Sequence, residues 1–464
     1  MIKRNILLTI LGVLLMTSCN GLIQFGSQSS KNSSSHSKQT SGHSSLVEDK
    51  DGYRRLQINN TIQELDYVYG ALPSLGKPKA LVIPVEFPDC TAESKKYSID
   101  KIETAFNGNS QDVEWESVNS FFKKSSYGKV DIDFDVMTSW FKTKNNSSYY
   151  ENYKSNKPYY VDPAELIIKE YLTANPHKLK FSDYDTNKDG YIDAIYMIYT
   201  HTVDYNSDDS IWWAYQYYYM EEDYFDNVTP YYFMFAGYEF LLEDGEKHNT
   251  HTYIHESGHM FGLEDYYDYS ESSGIKNGGL AGADIMDYTV GDHNPFSKLI
   301  LGWANNPILI TTQTSVTIDL EAFQRNGDFV ILTNNWDEKL GMYQEYFIVE
   351  YLTVDGLNAY DAGRHFYSEA GIRVLHVSAE LETNSDYTYF KYENSYSAQK
   401  LLTLCPANNA YITSTTEASN DFLYQPTKIN SSNTLRYNDR TKLNYSFTVN
   451  SFTKDYANIT FTKI

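Results

Sequence analysis

The stretch HESGHMFGLED, residues 255–265, decides how this chain is read, because it predicts both a local fold and a chemistry. His255 and His259 are four residues apart, so a helix places both imidazoles on one face, where they can bind one metal ion. Glu256 lies about 100° further round the helix. It can therefore act on a water molecule beside the metal without displacing a histidine ligand.

The residues after this helix supply a third ligand. Gly262 can adopt a left-handed conformation, which ends the helix and turns the chain back. The returning chain brings Asp265 to the two histidines. Three protein ligands with one open position are the composition of a catalytic zinc site, whereas structural zinc sites are closed by four ligands.

A second segment, ADIMDY at residues 283–288, agrees with a zinc site. It resembles the Met-turn of metzincins, a tight turn that places a methionine beneath the zinc ion. We therefore expect Met286 below the metal. Tyr288 follows two residues later and is predicted to donate a hydrogen bond to the oxyanion of the transition state, with simple packing under the turn as an equal alternative. A thermolysin-type site needs a Glu ligand near position 279, which is Gly279 here.

Another acidic stretch, DTNKDGYID at residues 185–193, predicts a calcium loop. Side chains with oxygen atoms recur at every second position, and Gly190 suits the sharp turn of such loops. Tyr196 stands where an EF-hand has its bidentate Glu, so the loop is not an EF-hand. The predicted side-chain ligands are Asp185, Asn187, Asp189 and Asp193. The alternative is a solvated acidic turn.

The N-terminus predicts export. Lys3 and Arg4 precede an apolar run over 6–16, which is too short to span a bilayer but suits the core of a signal peptide. The run ends in MTSC, residues 16–19, which resembles the lipobox of bacterial lipoproteins. We therefore predict a signal peptide over 1–18, lipidation of Cys19 and a Ser-rich tether over 19–52. Ordinary secretion is the alternative, and both place the protein outside the cytoplasm.

The composition narrows the possible partners. The chain has 464 residues, with 38 Lys and Arg against 61 Asp and Glu, which gives a net charge of −23. So acidic a protein should repel nucleic acid, and no nucleic-acid partner is expected. Three cysteines cannot form a disulfide framework. If Cys19 carries lipid, Cys90 and Cys405 are the two cysteines left, and a disulfide between them is one alternative.

The remaining chain divides into two predicted regions. Apolar runs at 80–87 and 194–200 predict buried strands, and 163–174 has helical spacing, so 53–305 is predicted as an α/β domain. The segment 47–76, which overlaps the start of this domain, is either a pro-segment or the first strap of the domain. Short strands separated by turns follow position 307 and predict a β-sandwich over 306–464.

Six stretches resemble the immune-inhibitor-A-like (M6) family of metallopeptidases. They are 79–87, 121–136, 183–199, 255–268, 283–303 and 346–377. The resemblance implies a secreted zinc endopeptidase with a metzincin-like fold. It assigns zinc to His255, His259 and Asp265, and the role of general base to Glu256.

The sequence therefore predicts a zinc endopeptidase that acts on proteins or peptides as a monomer, anchored by lipid to the outside of a bacterial cell. The rival interpretation is a non-catalytic surface lipoprotein that binds glycans or a host protein. Glu256 favours the enzyme, because a binding protein needs no carboxylate at that position. His248 and His251 are expected to be exposed, and His293 to stabilise a loop.

Overall fold

A computed structural model gives the fold of most of the chain. It describes residues 44–464 apart from 51, 158, 205–209, 243–247, 270–278, 289–290, 360–365, 385–386, 414–415 and 427–434, and apart from the side chain of Tyr288. The predicted signal peptide, Cys19 and the first part of the predicted tether lie outside the described residues.

The helices of the described residues are short. They are α1 (Ala92–Lys95), α2 (Ile99–Asn107), α3 (Val118–Ser125), α4 (Ser147–Glu151), α5 (Pro163–Ala174), α6 (His251–Met260), α7 (Ile285–Tyr288), α8 (Pro295–Ile300) and α9 (Phe323–Asn326). Single 3₁₀ turns cover Ile62–Glu64, Asp66–Val68, Phe181–Tyr184, Tyr238–Leu242 and Asn420–Phe422. In this part of the chain, no helix has the length and apolar character needed to cross a bilayer.

In the described part of the chain the strands outnumber the helices. They are β1 (Ser44–Glu48), β2 (Arg54–Ile58), β3 (Lys79–Glu86), β4 (Asp133–Val136), β5 (Phe141–Lys142), β6 (Tyr191–Ile192), β7 (Ile195–Tyr199), β8 (Tyr215–Tyr218), β9 (Thr229–Pro230), β10 (Tyr232–Gly237), β11 (Ile308–Ile310), β12 (Ser315–Glu321), β13 (Val330–Leu332), β14 (Glu345–Leu352), β15 (Gly371–Ser378), β16 (Leu381–Thr383), β17 (Thr388–Phe390), β18 (Leu402–Leu404), β19 (Tyr445–Phe452) and β20 (Tyr456–Lys463).

A six-stranded sheet forms the frame of the first region. Its order is β4-β3-β7-β10-β8, with β5 beside β3. Strands β3, β7 and β10 run parallel, and β8 is an antiparallel edge strand. The central strands are apolar throughout because helices cover both faces of the sheet. The strands predicted at 80–87 and 194–200 are confirmed as β3 and β7.

Strand β3 shows how the two faces are used. Leu81 and Ile83 pack into a cluster that contains residues of α5. Ala80 and Val82 point the other way, into the cluster that contains residues of α6. Helix α5 covers 163–174 as predicted, and a capping box at Asp162 with Pro at the first turn fixes its start.

The second region contains two packed sheets. A seven-stranded sheet has the order β1-β2-β11-β13-β14-β15-β18, and a three-stranded sheet has the order β12-β20-β19. Apolar side chains such as Val330, Ile318 and Phe447 fill the space between them. The opposite face of the larger sheet, with Ile331 and Ile348, packs into the same cluster as α6. One hydrophobic core therefore continues across the predicted domain boundary at 305/306.

The segment before β3 differs from the predicted organisation. Ser44–Glu48 lies within the predicted tether but is a strand, so that end of the tether prediction is wrong. The physical reason is that β2 pairs with β11 through Arg55 and Ile308, and β1 pairs with β2. The Arg55 guanidinium also donates to Asp328 at 2.6 Å and so ties β2 to the residues just before β13.

Residues 53–76 continue as a strap across the end of α6. The backbone N–H of Leu72 donates to the carbonyl of Met260 at 2.8 Å. Six apolar side chains of the strap are at most 1% exposed, namely Leu56, Ile58, Ile62, Leu65, Val68 and Leu72. These contacts favour the strap alternative over a removable pro-segment.

Cys90 and Cys405 are both free thiols, so the structure contains no bridge between them. The Cys90 thiol donates to the carbonyl of Thr200 at 3.3 Å. Cys405 packs at the edge of the cluster between the two C-terminal sheets, and burial raises the pKa of its thiol to about 12.

Deletion of residues 1–76 is predicted to abolish the folded state. Burial of each strap side chain contributes about 2 kcal/mol, so the six together are comparable to the whole free energy of unfolding of a typical domain. We expect no cooperative thermal transition by circular dichroism, whereas a chain that starts at residue 44 should unfold cooperatively. A shortened chain that still folds and binds zinc would identify the segment as removable.

Candidate metal centre

Helix α6 carries the two histidines of the predicted site. Its apolar side chains Tyr253, Ile254 and Met260 are buried in the main core, which fixes the rotation of the helix. The Tyr253 hydroxyl also donates to the carbonyl of Gly237, at the end of β10, at 3.0 Å. The rings of His255 and His259 consequently lie side by side, with centroids 5.0 Å apart and planes at 85°.

The chain turns back after α6 as the sequence predicts. Gly262 has a φ of 94°, a conformation that L side chains rarely adopt. A Cβ atom at this position would also lie 2.2 Å from Cγ1 of Val68 in the strap. Glycine is therefore required at position 262 both by the left-handed turn and by the close approach of the strap. The turn brings Asp265 beside the two histidines.

The three predicted zinc ligands meet at one point. Oδ1 of Asp265 lies 3.0 Å from Nε2 of His255 and 3.3 Å from Nε2 of His259. Among the described residues this is the one group of three or more His, Cys, Asp or Glu side chains whose ligand atoms all lie within 4.8 Å of one another. All three side chains are largely buried.

Hydrogen bonds fix which nitrogen of each ring faces the centre. Nδ1 of His255 lies 2.7 Å from the carbonyl of Ile285, and Nδ1 of His259 lies 2.7 Å from the carbonyl of Leu263. A carbonyl can only accept, so each Nδ1 carries the hydrogen and each Nε2 of a neutral ring offers a lone pair. These two lone pairs converge on Oδ1 of Asp265, which is buried and has no hydrogen-bond donor.

This arrangement fits a metal cation. Three acceptors that converge without a donor need a positive charge between them. A proton can supply that charge: burial opposes ionisation of His259, but the carboxylates of Asp265 and Glu256 outweigh burial and raise its pKa to about 9. Metal binding therefore displaces protons from the site. Two imidazoles and one carboxylate are typical ligands of zinc.

Glu256 lies beside this group on the first turn of the metal-binding motif. Its carboxylate is buried, and the backbone of Gln216 in the edge strand β8 lies near enough to lower its pKa. Burial raises the pKa of Glu256, while the neighbouring His259 and His255 act in the opposite direction. The carboxylate is thus held close to the metal ligands without being one of the three.

Met286 packs against the helix that carries the two histidines. The short helix α7 begins after Asp284, whose Oδ1 accepts the N–H of Met286 at 2.9 Å. The Met286 side chain is fully buried, and a Cβ atom on Gly258 would lie 2.3 Å from its sulfur. Met286 therefore packs against the turn of α6 between the two histidines. The side chain of Tyr288 lies outside the described residues, so its role stays a prediction.

The sequence analysis missed Tyr269. Its hydroxyl donates to Oδ2 of Asp265 and leaves Oδ1 directed at the histidines. This partner fixes the carboxylate in the way that hydrogen-bonded groups behind metal ligands commonly do. The only signal in the sequence was a run of tyrosines after Asp265, and no pattern distinguished Tyr269 from its neighbours.

Two other histidines have structural positions. His251 was predicted to be exposed, and this is wrong: it is buried because its ring stacks on Trp115, with centroids 4.7 Å apart and planes at 8°. His293 is also buried, and its Nδ1 lies 2.9 Å from the hydroxyl of Ser125. Burial lowers the pKa of His293 well below its ordinary value, so a neutral ring joins its loop to α3.

The predicted calcium loop is closed by its own hydrogen bonds. The Asp185 carboxylate accepts the N–H groups of Asp189 at 3.0 Å and Gly190 at 3.1 Å. Asn187 donates to Oδ2 of Asp189 at 2.9 Å. Gly190 has a φ of 93°, as the predicted sharp turn requires.

Asp193 accepts the N–H and hydroxyl of Thr186, which lies between the predicted ligands Asp185 and Asn187. Burial raises the pKa of Asp193 to about 7. The carboxylates of this loop do not form a group as tight as that at His255. Calcium binding here stays a prediction.

Comparison with known proteins does not identify the chain. No known protein family matches the sequence, and no curated protein matches it. The function is therefore inferred from the residues of the metal centre and their geometry.

Gly258→Ala is predicted to destabilise the protein, although this change usually stabilises a helix interior by about 0.5–1 kcal/mol. The new methyl group overlaps the Met286 sulfur, and such overpacking costs about 1–3 kcal/mol. In a Met286→Ala background the same methyl should fill part of a cavity, and its effect should change sign. Urea unfolding of the metal-free single and double variants measures both effects. Stabilisation in both backgrounds would show that Met286 does not press on α6.

Calcium is predicted to raise the melting temperature of calcium-stripped protein, because a ligand that binds only the native state stabilises it. Asp189→Ala should abolish this response. Asp439→Ala, which removes an exposed turn aspartate elsewhere, should keep it. Differential scanning calorimetry with and without calcium gives the comparison. An unchanged melting temperature in the unaltered chain would leave the loop as a turn closed by hydrogen bonds.

Proposed function

We propose that this chain is a zinc-dependent endopeptidase that acts outside the cell. The observation that carries the proposal is the buried convergence of His255, His259 and Asp265 on one point, with the Glu256 carboxylate beside them. Nitrogen and carboxylate ligands in this number suit zinc better than calcium or magnesium, which prefer oxygen ligands alone. A zinc ion held there would polarise a substrate carbonyl and lower the pKa of a water molecule.

Glu256 supplies the proton transfer of the proposed reaction. It accepts a proton from the attacking water and delivers it to the leaving amine, the role of a general base and then a general acid. Burial raises the pKa of the Glu256 carboxyl, which makes the carboxylate a stronger base. Metal ligation by three other residues leaves Glu256 free for this role.

The edge strand β8 favours a polypeptide substrate. It pairs with β10 on one side only, and no other strand of the described residues pairs with its free edge. An extended peptide can add to such an edge through main-chain hydrogen bonds. Gln216 belongs to this strand and is a neighbour of Glu256, so a peptide on β8 would pass beside the proposed general base.

The family and the cellular location are further parts of the proposal. A six-stranded sheet above α6, with Met286 behind the ligands, supports the resemblance to metzincin-like M6 peptidases. The N-terminal sequence supports a bacterial lipoprotein anchored through Cys19. Together these proposals describe an acidic protein that is exported and anchored, and whose substrates are proteins or peptides.

The proposed function predicts a separation of zinc binding from catalysis. Glu256→Gln should retain about one zinc ion per chain by elemental analysis but lose casein hydrolysis by about 100- to 10,000-fold, the usual contribution of general acid–base catalysis. Asp265→Ala should lose both zinc and activity. The matched control is Glu170→Gln on α5, which makes the same chemical change at a residue bonded to Tyr150 on the other side of the sheet.

Hydrolysis that persists in zinc-loaded Glu256→Gln would overturn the mechanism. A zinc-loaded, folded chain that binds peptides or glycans but cleaves none would favour the rival, a surface binding protein. Full zinc occupancy in Asp265→Ala would remove Asp265 from the ligand set.

A further inference from the structure

The loop that carries Asp265 is held by a distant segment of the chain, residues 394–402, which we call the clamp. Asn394 is 1% exposed, and its side chain makes three hydrogen bonds. Its Nδ2 donates to the carbonyl of Tyr266 at 2.9 Å and to that of Leu402 at 2.8 Å, and its Oδ1 accepts the N–H of Leu402 at 3.0 Å. One side chain thus joins the residue after Asp265 to the start of β18.

A buried ion pair makes the second connection. Nζ of Lys400 lies 3.0 Å from Oδ2 of Asp268, and the two side chains are 2% and 1% exposed. The same ammonium donates to the carbonyl of Asn394 at 2.7 Å. A buried pair of this kind tolerates little change in geometry, because separation of the partners leaves uncompensated charges in the interior.

Tyr269 completes the path to the metal ligand. Its backbone N–H donates to the carbonyl of Ser395 at 3.0 Å, and its ring lies 5.1 Å from that of Tyr396. Its hydroxyl then donates to Oδ2 of Asp265. The clamp therefore fixes the backbone of the residue whose side chain orients the third ligand.

The contact between loop and clamp leaves no spare room. A Cβ atom on Gly279 would lie 1.8 Å from the carbonyl oxygen of Tyr266 and 2.4 Å from Nδ2 of Asn394. The N–H of Leu404 in β18 donates to the carbonyl of Gly279 at 3.1 Å. The loop that carries Asp265, the clamp and strand β18 therefore pack together as one unit.

We infer that the clamp sets the position of Asp265 through Tyr269, so that Asn394 and Lys400 are positioning residues of the metal centre. The C-terminal sheet is then a working part of that centre and not an independent binding module. The inference rests on the proposed zinc site but not on the peptidase reaction.

Zinc affinity of the full chain tests the inference without use of activity. Asn394→Asp keeps the shape of the side chain but replaces its donor with an oxygen that faces two carbonyls. We expect the zinc dissociation constant, measured by competition with a chromophoric chelator, to rise by about tenfold to a hundredfold. We also expect shifted visible bands in the cobalt(II)-substituted protein, which report ligand geometry. The matched control is Asn175→Asp after α5, where Asn175 also bonds a single loop through both side-chain atoms; its affinity should stay within twofold.

A double-mutant cycle tests the path. Tyr269→Phe deletes one hydroxyl and should itself weaken zinc binding. If the clamp acts through Tyr269, Asn394→Asp should have a smaller effect in the Tyr269→Phe background than alone. Effects that simply add would overturn the path, and so would unchanged zinc affinity and cobalt bands in a folded Asn394→Asp variant.

Folding of each metal-free variant is checked by circular dichroism. If Asn394→Asp does not fold, Lys400→Met with Asp268→Asn replaces it, because this double variant removes both buried charges together. An unaltered chain that binds no zinc would refute the proposed function. Zinc binding and hydrolysis in the unaltered chain, with no effect of the clamp variants, would refute this inference alone.

Discussion

The hydrogen bonds from the two histidine rings to backbone carbonyls are the constraint on which the metal centre depends. They give each Nδ1 its hydrogen and direct both Nε2 atoms at Asp265. The two carbonyls lie outside α6. Ile285 begins the turn that holds Met286, and Leu263 follows the turn at Gly262. Correct orientation of the rings therefore requires both turns, and the HExxH helix alone does not build the site.

Much of this centre could be predicted because its information is local. Ligand spacing along a helix follows from the helical repeat, and the need for a glycine at 262 follows from the direction of the chain. The strands β3 and β7 were predicted for a similar reason, since fully apolar runs indicate strands buried on both faces. In each case the residues that decide the structure are close neighbours in sequence.

The parts that could not be predicted depend on distant partners. Residues 53–76 have no clear period, and the strand β2 within them pairs with β11 about 250 positions later. The exposure predicted for His251 was wrong because Trp115, far away in sequence, covers its ring. The bond between Asn394 and Tyr266 spans 128 positions. No periodicity in a single sequence encodes such contacts.

The same long-range contacts explain why the two predicted regions form one unit. Arg373 in β15 forms a buried pair with Glu350 and donates to the carbonyl of Ala283, at the start of the Met286 turn. The C-terminal sheet thus holds the Met286 turn through Arg373 and the Asp265 loop through Asn394. Because the first turn orients His255 and the second carries the carboxylate ligand, the sheet constrains the metal centre on two sides. A zinc site assembled from a helix and two turns is rigid only where something else fixes the turns, and here the β-sheet does so.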